Sequence, residues 1–158
     1  MKALPFAILL ILFNFAFGQV SIAGKTCAGI WRTVDDETGR TKSKVQIVEK
    51  GGKYFGTIIE LLDPETLKDS GVDTFEEVVC DECPKDRGKD QPVIGLTIIW
   101  DMKQESDRWA DGEIMDPENG KIYGCSLWLD EDDPKGNTLK VRGWLAFFYR
   151  TQTWYREN

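Results

Sequence analysis

From Ala28 onward the chain is a succession of short runs rich in Val, Ile, Tyr, Phe, Trp and Thr. Clusters of Gly, Asp, Asn and Pro separate them, and no run carries the three-and-four spacing of an amphipathic helix. The runs are Ala28 to Val34, Ser43 to Glu49, Lys53 to Leu62, Pro92 to Met102, Arg108 to Met115, Lys121 to Leu129, Leu139 to Ala146 and Phe147 to Arg156. Gly51-Gly52 and Asp116-Pro117-Glu118-Asn119-Gly120 are hairpin turns, because these residues accept a preset or positive φ. The last two runs meet without any turn dipeptide. With no helix long enough for a parallel crossover, neighbouring runs pair antiparallel. Eight such strands close into an up-and-down barrel that leaves no free edge, and a two-sheet sandwich is the competing arrangement.

Asp63 to Gln91 interrupts this rhythm. It is polar, of mixed charge, and holds Cys80-Asp81-Glu82-Cys83. A short helix is expected near Asp73 to Val79. A stretch this long inside a compact domain is read as a capping or functional loop.

Residues 1–18 read as a secretory signal peptide: Met1-Lys2 is a positive start, Ala3 to Phe17 is apolar except for Asn14, and Ala16-Phe17-Gly18 offers a small-residue cleavage site. Residues 19–158 then form one domain. The formal net charge is −7, which disfavours nucleic acid and charge-driven attachment to anionic lipid. The apolar leader is too short for comfortable membrane insertion. The chain contains no histidine, which excludes Ser-His-Asp and Cys-His catalysis and HExxH zinc sites. No cofactor is implied, and no metal-ligand spacing is found. Glu131, Asp132 and Asp133 lack the order of a calcium loop and read as a solvated turn.

Gly29-Ile30-Trp31 on the first strand, with Arg156 on the last, resembles the calycin signature of lipocalin-like barrels. A fuller set resembles the DUF2147 family of exported bacterial proteins. It comprises Gly29-Ile30-Trp31-Arg32-Thr33, Val45-Gln46-Ile47, Gly52-Lys53-Tyr54-Phe55-Gly56, Pro92-Val93-Ile94-Gly95-Leu96, Trp109 to Ile114, Asp116 to Tyr123, Val141 to Trp144 and Arg150 to Arg156. The resemblance implies a calycin-like barrel in the bacterial envelope, periplasmic or secreted, with Trp31 beneath Arg156 and Gly29 and Trp154 in the same structural signature. It brings no activity with it.

Four cysteines in an exported chain point to disulfides. Of the three pairings, Cys80–Cys83 with Cys27–Cys125 is favoured, the second tying the N-terminus to a strand. Redox chemistry at Cys80-x-x-Cys83 is disfavoured by the two acids between the thiols.

Asp111 and Glu113 stand two apart on one strand, so alternation puts them on one face with Trp109 and Met115. Turned inward they would form an acid/base pair, and turned outward a solvated face, which is the preferred reading. The six tryptophans are many for a core that only needs filling, and amphipathic rings suit the wall of an apolar pocket. The candidate pocket residues are Tyr54, Ile58, Trp109, Asp111, Tyr123, Trp128 and Arg150, the last facing a ligand carboxylate. The preferred function is non-catalytic binding of a small hydrophobic or aromatic ligand, with the long loop as a lid. The alternatives are a filled barrel that meets an envelope protein partner and, last, an enzyme using Asp111 and Glu113.

Overall fold

The computed structural model describes residues 26–157; the expected signal peptide lies outside them. Eight strands, β1 (Gly29–Val34), β2 (Thr41–Lys50), β3 (Lys53–Leu61), β4 (Thr97–Glu105), β5 (Arg108–Met115), β6 (Ile122–Leu129), β7 (Thr138–Leu145) and β8 (Phe148–Arg156), follow one another around a closed barrel. Every neighbouring pair is antiparallel, and β8 returns to β1 through Trp31 opposite Arg156. The expected up-and-down barrel is therefore the observed one, and the sandwich is excluded.

One end is shut. The chain enters β1 there, and Trp31, Tyr54, Met102, Trp109, Leu127 and Leu139 fill the interior, each at most 6 % exposed. Tyr54 meets Trp109 edge to face at 5.8 Å. Burial of this cluster helps to hold the cylinder closed.

Two expectations about local structure are corrected. β4 begins at Thr97 rather than Pro92. Pro92 lacks an N–H for a ladder, and Gly95 turns the chain at φ 95°. The helix lies at Pro64–Ser70 (α1), ahead of the expected Asp73 to Val79, where only a 3-10 turn forms at Phe75–Glu77. The signal for α1 was present: Asp63 caps the Glu65 N–H, Pro64 opens the helix, and Gly71 ends it at φ 66°.

The segment 62–96 is fastened rather than loose. Gly95 N–H donates to the Ile58 carbonyl at 2.7 Å, and Ile58 N–H to the Leu96 carbonyl at 2.9 Å. The Arg87 guanidinium lies 4.3 Å from the centre of the Trp100 ring and donates to Glu113 at 2.8 Å. Gly120, at φ 66°, allows the Glu82 carbonyl so close that a Cβ would overlap it. These contacts hold the segment against the barrel as one wall of its open end.

Candidate functional site

Above the closed half, the barrel holds a cavity of about 800 Å³. Its lining comes from the loop-bearing end of the strands and from the fastened segment: Ile58, Ile98, Ile114, Val141 and Trp154 from the barrel, Val78 and Val93 from the wall. Volume and composition fall in the range of small-molecule sites.

The polar groups at this cavity are mostly satisfied. Thr33 and Ser43 share a hydroxyl hydrogen bond of 2.9 Å, and Ser43 N–H donates to Thr33 Oγ1 at 3.1 Å. Gln152 Oε1 accepts the Trp154 indole N–H at 3.1 Å. Lys42 Nζ sits 2.7 Å from Glu118 and 3.2 Å from Asp63, while Arg40 Nε is also 3.2 Å from Asp63. Burial pushes the Asp63 carboxyl up, but the Glu65 N–H and these two cations outweigh it and hold it below the usual carboxylate range. Asp116 differs. Burial raises it and no cation among the described residues is paired with it, its side chain accepting from Glu118 N–H at 2.9 Å and Asn119 Nδ2 at 2.7 Å.

Of the candidate pocket residues, Ile58, Tyr123 and Arg150 line this cavity. Arg150 is committed elsewhere, with Nε 2.7 and 2.9 Å from the two carboxylate oxygens of Asp36 and a guanidinium nitrogen 3.4 Å from Asp35. A ligand carboxylate would have to displace these acids. Tyr54 and Trp109 belong to the closed half and do not reach the cavity. Trp128 and Asp111 are on the outer face.

The reason for Asp111 is a bulge. Register shifts between Trp109 and Gly112, and Asp111 adopts φ 58°, as does Asp101 on the facing strand. Asp tolerates this left-handed conformation better than most residues. The period of two therefore breaks, and Trp109 and Gly112 face in while Asp111 projects out. Asp111 lies 3.8 Å from Lys103 with its side chain 61 % exposed. Glu113 is taken by Arg87 and 49 % exposed. The two carboxylates form no inward pair. Trp128 sits between the guanidiniums of Arg108 and Arg142, each 5.0 Å from its ring centre.

Cys80 and Cys83 are bridged. Cys27 and Cys125 are buried free thiols, so the expected second bridge is corrected. The interior encloses both, and burial alone accounts for the raised Cys125 thiol, pushed up to about 12.

Thr33, Ser43, Gln152 and Gly143 were not singled out from the sequence. Inward alternation with Ile58 and Trp154 marks some of them, but no residue type announces a pocket. Among the described residues no cluster of ligating side chains could hold a metal ion, and no helix is long and apolar enough to cross a membrane.

A closed eight-stranded antiparallel cylinder with one sealed end and an apolar cavity at the other is a lipocalin-like barrel. A solved structure, "Protein HP1028 from the human pathogen Helicobacter pylori belongs to the lipocalin family", shares this fold with TM-score 0.64 at 17 % identity, covering 84 % of each chain. Residues 29–156 match the family described as "Uncharacterized protein conserved in bacteria (DUF2147)", and the chain belongs to that family. A search of curated proteins finds no match.

Proposed function

We propose that this protein is an exported, non-catalytic barrel that binds a small, mostly apolar molecule in the cavity above Trp154. The observation that carries this reading is the cavity itself: about 800 Å³, apolar on most of its wall, in a barrel whose other half is filled. Binding would proceed by desolvation of the ligand against Ile58, Ile98, Ile114 and Val141, with the Thr33–Ser43 hydroxyls and Gln152 meeting a polar end. Export is supported by the Cys80–Cys83 bridge and by the signal-like residues 1–18. The outward, ion-paired positions of Asp111 and Glu113 favour binding over catalysis by that pair.

Gly143 provides the test. It lines the cavity without a positive φ, and a Cβ there would meet Tyr123 at 3.4 Å, an ordinary contact. Gly143→Leu should push a side chain into the site and narrow it while keeping the fold. Titration with a panel of fatty acids and aromatic probes, read by quenching of tryptophan fluorescence, should show saturable binding by the native chain. The variant should bind about tenfold more weakly or worse. Equal binding by both would place the ligand elsewhere.

A further inference from the structure

The opening of the cavity is part apolar and part acidic. Leu145, Phe148 and Tyr149 of the β7–β8 hairpin border it and are 53, 82 and 70 % exposed. The segment 62–96 and the β5–β6 turn contribute carboxylates instead: Asp69, Glu77, Asp81, Glu82, Asp116 and Glu118.

The cations at this opening are already spent. Lys42 is held between Asp63 and Glu118. Arg150 faces Asp35, Asp36 and Glu37, one positive charge against three negative ones. Lys89 donates to the Asp81 backbone carbonyl and not to its carboxylate. No ion pair among the described residues involves Asp69, Asp81, Glu82 or Asp116. The first three are exposed, whereas Asp116 is half-buried in the cavity wall. Burial holds its carboxyl above the usual aspartate range, and the Coulombic pull of Arg150 does not offset it.

We propose that the cavity selects an amphiphile whose apolar body ends in a cationic head, an amine or a guanidinium, over the same body ending in a carboxylate. The assignment rests on the cavity being a ligand site, and adds the charge of what enters it. Ile58, Ile98, Ile114 and Val141 give the body an apolar wall but offer the head nothing. The Asp116 carboxylate accepts from Glu118 N–H and Asn119 Nδ2 and keeps acceptor capacity for further donors. An ammonium supplies such donors together with the missing counter-charge. A carboxylate head would meet like charges, and neither Lys42 nor Arg150 is unspent to replace its lost hydration. Acids of one sign beside apolar walls also concentrate cations at the opening, in keeping with the net charge of −7.

Three ligands of one chain length test this by titration calorimetry: decylammonium, decanol and decanoate. The native chain should bind decylammonium about tenfold tighter than decanoate or better at low salt, with decanol between them. The gap should narrow at high salt. Asp69→Asn/Asp81→Asn/Glu82→Gln, altered at exposed sites, and Asp116→Asn should each shrink the preference to about threefold or less, with decanol as the neutral reference. Gly143→Leu should weaken all three ligands. Equal affinity for amine and acid, or tighter decanoate, overturns the charge selection while decanol binding keeps the apolar site. A preference that survives in both acid variants overturns the assignment to these carboxylates. So does an amine that binds Gly143→Leu as tightly as the native chain, because it would sit on the outer surface. No binding of any of the three removes the ligand site itself, and the charge selection with it.

Discussion

Arg156 covers Trp31: its guanidinium carbon lies 4.1 Å from the indole centre, and its nitrogens donate to the carbonyls of Gly136, Ala28 and Thr26 at 3.0, 2.9 and 2.8 Å. The Trp31 indole N–H donates in turn to the Cys27 carbonyl at 2.8 Å. One side chain thus ties the entry of β1, the β6–β7 loop and the end of β8 over the sealed end. Gly29 makes room, since a Cβ there would overlap the guanidinium, and its φ of 139° also disfavours any other residue.

Arg156→Ala should cost about 3 kcal/mol in chemical denaturation, from the lost cation–π contact and charge-assisted hydrogen bonds. Arg156→Lys should recover little of it, because an ammonium cannot span three carbonyls and cover the ring at once. A lysine variant as stable as the native chain would show that charge alone suffices.

Trp109→Ala and Trp128→Ala should part company. The first removes a fully buried ring from the sealed half and should cost about 3–5 kcal/mol. The second removes an outer-face ring between two arginines and should cost about 1 kcal/mol or less. Thermal unfolding of both variants, with ligand titration of Trp128→Ala, checks this; unchanged binding by the latter is expected.

The Asp63 carboxylate links pH to the attachment of α1. Its folded pKa lies below the unfolded value, so its contribution is full above about pH 4 and fades as pH falls through the depressed folded pKa. Asp63→Asn keeps the helix cap and loses the ion pairs with Arg40 and Lys42. The stability gap between native and variant chains should be open at neutral pH and close in acid. A gap independent of pH would assign the effect to packing.

Thiol labelling separates the cysteines. Without reductant, neither Cys27 nor Cys125 should react in the native state, since both are buried. After reduction, Cys80 and Cys83, themselves buried, should label only as the segment 62–96 opens, in step with a rise in hydrogen exchange around Val78 and Val93. Opening this short loop should cost about 2 kcal/mol on the chain-entropy estimate.

The barrel was legible because each strand declares itself by β-branched and aromatic runs between turn residues, and because Gly29, Trp31 and Arg156 mark the seam. Alternation failed at Asp111, where a left-handed residue inserts a bulge that moves an aspartate from wall to surface. It also gave no depth: Trp109 and Trp154 both face inward, yet one plugs the sealed half and the other borders the cavity. The Cys27–Cys125 bridge was inferred from parity of count and from export, and both remain buried free thiols. The hairpin Leu145 to Phe148 went unmarked as a surface because its turn is made of Ala and Phe, which in sequence read as buried strand.

Native mass spectrometry of the protein purified from its own host tests the central claim most directly. A bound species of a few hundred daltons, fitting about 800 Å³ and absent from the Gly143→Leu variant, is expected. An unliganded mass from the native chain, together with no uptake of any member of the probe panel, would contradict it.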